Sequence, residues 1–178
     1  MRSSQDAATP LRSGAGFRFA IIVSRFNSHI TEPLRAAARA ALEEAQVKPA
    51  DVEEFTVPGA FELPQAARCA AETARFDGII TLGCVIRGET PHFEYVSSAA
   101  TQGIMAAAGE TGVPMALGVL TTDTEAQALA RAGADHDNKG REAAAAAIEM
   151  VTLFRTLGRP PARSSTHPFG FGPATGER

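Results

Sequence analysis

The chain has 178 residues and a formal net charge of −3, with 44% apolar and 21% charged residues. That length fits one domain, and that balance fits a packed core rather than a disordered chain. No basic excess points to a nucleic acid or an anionic membrane as partner, and no apolar run reaches the eighteen or so residues of a transmembrane helix.

Residues 1–16, MRSSQDAATPLRSGAG, lack periodicity and an apolar stretch. They read as a flexible arm and not as a secretory signal. FRFAIIVS (17–24) is a short apolar, β-branched run and predicts a buried strand. A helix follows over 32–46, with Pro33 in its first turn. DVEEFTVPG (51–59) predicts a second strand, and 62–75 a second helix. DGIITLGCVIRG (77–88) is the most hydrophobic strand and precedes a long helix over 91–112. PMALGVLTT (114–122) is the fourth strand. Thr122 and Glu125 have capping-box spacing and open a helix over 123–133. A loop, 134–137, leads to a last helix over 138–158. Residues 159–178, rich in Pro and Gly, read as a loose tail in which His167, Phe169 and Phe171 stand out.

This alternation predicts an α/β protein in which one domain, residues 17–158, forms a three-layer α/β/α sandwich around a parallel sheet. Two cysteines, Cys69 and Cys84, make neither a disulfide framework nor a C-x-x-C pair, so a reduced, cytoplasmic protein is expected. Alanine supplies about a fifth of the chain, aromatics only 6%, and there is no Trp. So thin a core suggests that apolar surface is buried between subunits.

In such sheets ligands bind at the C-terminal ends of the strands. The residues there are SRFN (24–27), VPGAFELP (57–64), GCVIRGETPHFEYV (83–96) and LTTDTEAQ (120–127). Gly88 and the amides of Glu89 and Thr90 open a helix, which suits either an anion or an ordinary cap. Imidazole suits proton transfer, so His92 is either an acid–base group or a solvated or capped histidine, the reading given to His29, His136 and His167. Phe26 either stacks on a flat ring or sits at the core edge. Glu62 either accepts hydroxyl hydrogen bonds or is a first-turn acid favoured by the helix dipole. Arg131 is either an anion-binding guanidinium or a surface arginine. Cys84 has no base beside it in sequence and reads as strand-end packing.

The strings SRFN, VPGAFE, GCVIRGETPHFEYV, GVLTT, RAG and NKGREAA occur in this order between about residues 17 and 157. Together they resemble the lumazine synthases (6,7-dimethyl-8-ribityllumazine synthases) of riboflavin biosynthesis. The resemblance implies a flavodoxin-like four-stranded parallel sheet. It implies a transferase that condenses 5-amino-6-(D-ribitylamino)uracil with 3,4-dihydroxy-2-butanone 4-phosphate, releasing phosphate and two waters, with no metal and no organic cofactor. His92 would move protons. Phe26, Ala60, Phe61, Glu62, Cys84, Val85, Ile86 and Leu117 would contact the pyrimidine and its ribityl chain. The main chain at Glu89 and Thr90 would hold the phosphate with Arg131, and Lys139 would add positive charge. Arg131 would reach a phosphate bound mainly by the adjacent subunit, which implies a homopentamer with sites between subunits.

Two departures from the family pattern stand out. Leu117 replaces a Phe found in many members, so it covers the pyrimidine without stacking. ADHDNKG (134–140) replaces the glycine- and lysine-rich loop of many capsid-forming members, which favours a free pentamer over a sixty-subunit shell. Other classes weighed against the synthase are a non-catalytic flavin-binding shell, a pentameric riboflavin synthase and a flavodoxin-like electron carrier. The carrier requires a Ser/Thr-rich phosphate loop where SRFN stands.

Overall fold

A computed structural model describes residues 11–134 and 137–158. Four strands form one all-parallel sheet: β1 (Phe19–Ser24), β2 (Val52–Val57), β3 (Gly78–Ile86) and β4 (Met115–Thr122), in the order β2-β1-β3-β4. Phe19 lies beside Val52 on one side and Gly78 on the other, and Ile79 lies beside Met115. All six β1 residues are buried, as expected of an inner strand covered on both faces. β2 and β4 are the edges: β4 alternates between buried and more open positions, while β2 is buried only at its two ends, Val52 and Val57.

Alternation along the strands divides the interior into two cores. Phe19, Ile21, Val23, Ile80 and Leu82 point to one face, under α1 (Ser28–Glu44), α4 (Glu125–Arg131) and α5 (Lys139–Thr156). Ala20, Ile22 and Ile79 point to the other, under α2 (Leu63–Glu72) and α3 (His92–Thr111). The alanines of α5 at 143, 144 and 147 are buried within the chain itself, beside Ala38 and Ala41 of α1 in the first core. Small side chains therefore serve close helix packing inside the protomer. Among the described residues no helix is long and apolar enough to cross a membrane.

Three local expectations are corrected. Helix α1 begins at Ser28 rather than at 32. Asn27 takes the left-handed conformation (φ 59°), which asparagine tolerates, and its carbonyl accepts from the Ile30 and Thr31 amides. Pro33 thus lies in the second turn, where it removes one backbone donor. Second, α4 is capped by Thr124, not Thr122. The Thr124 hydroxyl accepts from the Gln127 amide, while the Thr122 hydroxyl donates to the Thr124 carbonyl. Third, the packed body starts before residue 17: the Gly14 amide donates to the Ala45 carbonyl and Leu11 packs against the first core. Residues 1–10, the tail 159–178 and His136 lie outside the described residues.

Candidate functional site

At the C-terminal ends of β1 and β3 a cavity of about 850 Å³ opens on the α2/α3 face. Its walls come from three strand-end turns that bond to one another. The Arg25 and Phe26 amides donate to the Val57 and Pro58 carbonyls, and the Asn27 side chain donates to the Cys84 carbonyl at 3.1 Å. Phe26 is held through its own backbone and its neighbour's side chain, yet its ring is 68% exposed. That exposure removes the core-edge reading.

The second wall is a tight 3₁₀ turn at Ala60–Glu62 leading into α2. One carboxylate oxygen of Glu62 accepts from the Gly59 amide at 2.9 Å, which fixes the turn. Ala60 is buried and lines the cavity as a flat patch, while Phe61 projects outward and is 62% exposed. The third wall is the end of β3, with Cys84, Val85 and Ile86, followed by Gly88, Thr90 and His92. Glu89 sits in the same turn and is exposed. The N-terminus of α3 has no side-chain cap, and the amides of Glu89 and Thr90 have no carbonyl partner among the described residues. Amides left unpartnered in the turn just before a helix N-terminus favour an anion.

Nine predicted residues therefore share one cavity: Phe26, Ala60, Phe61, Glu62, Cys84, Val85, Ile86, Thr90 and His92. Four others do not. Glu89 is exposed in the turn beside it. Leu117, Arg131 and Lys139 line a separate hollow of about 380 Å³ at the β4 edge, between β4, α4 and α5. Nη1 of Arg131 donates to the Gln127 carbonyl of its own helix at 2.9 Å, and Lys139 pairs with Glu142 at 2.5 Å. Lys139 stands directly after Asn138, whose side chain caps α5 by accepting from the Gly140 amide at 2.8 Å. His29, read as solvated or capped, is half-exposed and bonds Glu125 at 2.6 Å.

Phe93, Tyr95, Val96 and Ala99 also line the cavity and were not singled out from sequence. The signal was present: His92, Tyr95, Val96 and Ala99 recur at helical spacing along one face of α3. Arg87 and Asn27 were passed over too, because their roles depend on contacts with residues distant in sequence.

Residues 16–155 match the family model described as 6,7-dimethyl-8-ribityllumazine synthase. A protein of that name from Anaeromyxobacter dehalogenans (strain 2CP-C) is 49% identical over 152 residues, covering 85% of this chain and 94% of the relative. One from Salinibacter ruber is 53% identical over 145 residues, covering 80% and 91%. One from Syntrophus aciditrophicus is 51% identical over 142 residues, covering 80% and 92%. The chain belongs to the 6,7-dimethyl-8-ribityllumazine synthase family.

For a lumazine synthase family member the one thiol in the cavity demands a role, and its environment assigns packing. Cys84 is 2% exposed, and burial, with the Glu125 carboxylate nearby, pushes its thiol up to about 11. A thiol that stays protonated at neutral pH is a poor nucleophile. At about pH 8 an alkylating reagent is expected to modify the exposed Cys69 and spare Cys84. Peptide mass spectrometry reads this directly, and an adduct on Cys84 at that pH would contradict the assignment.

Proposed function

We propose that this chain catalyses the reaction its family is named for. It condenses 5-amino-6-(D-ribitylamino)uracil with 3,4-dihydroxy-2-butanone 4-phosphate to 6,7-dimethyl-8-ribityllumazine, in the cytoplasm, where its thiols stay reduced. The observation that carries the reading is the gathering of the three strand-end turns around one cavity, with an uncapped helix start at its rim. Phe26 stacks on the pyrimidine. Ala60 and Phe61 flank the ribityl chain, and Glu62 accepts from its hydroxyls. Val85 and Ile86 bound the pyrimidine edge beside Cys84. The amides of Glu89 and Thr90 hold the phosphate. His92, on the first turn of α3, moves protons as the amine attacks the carbonyl, water leaves and phosphate is eliminated. Much of the rate comes from holding amine and carbonyl together, so His92 assists more than it enables.

Each site is completed by a second protomer in a homopentamer. The β4-edge hollow of one chain closes the cavity of the next, bringing Leu117 over the pyrimidine and Arg131 and Lys139 to the phosphate. Two features support this. Phe26, Phe61 and Tyr95 leave large rings in water around the cavity, Tyr95 being 73% exposed. Helix α3 is apolar on most of its circumference yet buries only Ala100, Ile104 and Ala107 within the protomer.

The test is product fluorescence from the two substrates, with hybrid oligomers as the decisive arm. His92→Ala alone is expected to slow turnover by about 100-fold, the low end for a general acid–base group. Chains carrying only His92→Ala and chains carrying only Arg131→Ala, co-assembled, should regain intact sites at about a quarter of random interfaces. Activity no higher than the mean of the two parents would refute the shared site, and absence of product from the wild-type protein would refute the activity.

A further inference from the structure

Arg87 stands just before the Gly88–Thr90 turn and takes no part in the proposed chemistry. Its backbone amide donates to the Thr122 carbonyl at 2.8 Å, so it is anchored where β3 leaves the sheet. Its guanidinium makes three further contacts. Nε donates to Asp123 at 2.7 Å, Nη1 donates to Glu94 at 3.2 Å, and the group lies 4.4 Å from the centre of the Phe93 ring. Asp123 belongs to the connection between β4 and α4. Phe93 and Glu94 belong to the first turn of α3. The Arg87–Glu94 bond therefore closes a ring of chain that contains the turn and His92. Little else holds this segment: Gly88, Glu89 and Thr90 are all exposed, and the amides of Glu89 and Thr90 have no carbonyl partner among the described residues.

We propose that Arg87 is a positioning residue, a clasp that holds the Gly88–Thr90 turn and His92 in the geometry that receives the phosphate of the substrate. It does not itself bind that phosphate. Two carboxylates flank its one positive charge and the Phe93 ring occupies its face, so the cluster has the wrong net sign for an anion ligand. A planar guanidinium with a donor fork meets all three partners at once, which an ammonium does not. Exposed ion pairs of this kind contribute little to global stability. Their effect is local: a turn ordered in advance binds its anion without losing backbone freedom at that moment.

This inference rests on the turn being the phosphate seat, and the experiment separates the two. Amide hydrogen exchange across residues 88–94 is followed in the intact oligomer while inorganic phosphate is titrated. In the wild-type protein phosphate slows exchange there. Arg87→Met keeps an alkyl arm over Phe93 but loses the fork. It is expected to exchange faster without phosphate and to need about tenfold more phosphate for half-protection. Its KM for the phosphate-bearing substrate rises alongside, while its KM for the pyrimidine and its unfolding midpoint hold, and Arg87→Lys falls between Met and wild type. Wild-type phosphate dependence in Arg87→Met would overturn the clasp. So would a joint rise of both KM values with a fall in the unfolding midpoint, which marks a merely structural residue. If phosphate leaves exchange over 88–94 untouched in the wild-type protein, the phosphate seat fails, and the clasp with it.

Discussion

Replacing Arg131 by alanine is expected to lower kcat/KM for the phosphate-bearing substrate on the order of a hundredfold, the scale of removing a charged, two-pronged donor from an anion. Arg131 is available to an anion where most other arginines are not. Arg35, Arg39, Arg68, Arg75, Arg87, Arg141 and Arg155 are each paired with a carboxylate. Among the described residues Arg131 has no carboxylate partner and touches only the Gln127 carbonyl of its own helix. Exchanging that single bond for a phosphate disturbs nothing else. The KM for the pyrimidine and the unfolding midpoint should therefore stay near wild type. Arg131→Lys keeps the charge without the fork and should recover part of the loss. Raising the salt concentration should weaken the phosphate-bearing substrate in the wild-type enzyme more than in Arg131→Ala. Steady-state kinetics with each substrate varied in turn checks all of this. Unchanged kinetics in Arg131→Ala would remove the β4-edge hollow from the site.

The second large effect concerns folding. Helix propensity alone predicts that Gly140→Ala stabilises α5 by about 1 kcal/mol. Packing predicts the opposite and wins. A Cβ built on Gly140 would stand 2.0 Å from the Leu34 carbonyl oxygen and 2.8 Å from the Leu34 Cα. Those are backbone atoms of α1, which no rotamer change moves aside. Overpacking of a close contact costs about 1–3 kcal/mol and occasionally more, and here α1 and α5 must separate along a shared alanine-lined seam. Gly140→Ala is expected to lower the unfolding midpoint by about 2–12 °C. It should also impair catalysis, because Lys139 and the cap at Asn138 shift with the start of α5. Thermal unfolding followed by circular dichroism measures the first effect. An unchanged or raised midpoint would show that the two helices yield at no cost.

Several features were legible because their causes are local. β1 and β3 are covered on both faces, and such strands read as unbroken apolar runs. The cavity was legible because a parallel sheet exposes the C-terminal ends of its strands to ligand, and GAFE and GETPH stand there. Other features were not, because their causes lie elsewhere in the chain. Pro33 resembles a helix start, but the start is set by the left-handed backbone of Asn27. Thr122 and Thr124 compete for one cap, and Thr122 loses because it is buried at the end of β4 with its hydroxyl turned to the Thr124 carbonyl. Alanine abundance suggested buried surface between subunits, yet the α5 alanines at 143, 144 and 147 lie inside the protomer because α1 approaches that helix almost backbone to backbone.

By itself the sequence determined the alternating fold, the family and the roster of residues at the strand ends, since periodicity and short motifs are carried by neighbours in the chain. Only the tertiary structure decided how that roster divides, nine residues in one cavity, Glu89 exposed in the turn beside it, and Leu117, Arg131 and Lys139 at the far edge. Strand order places β4 outside β3, and no spacing along the chain records which strand becomes an edge. It also decided that Arg131 has no carboxylate partner among the described residues while Arg87 has two. That depends on where acidic side chains from other elements arrive, as Asp123 does at Arg87.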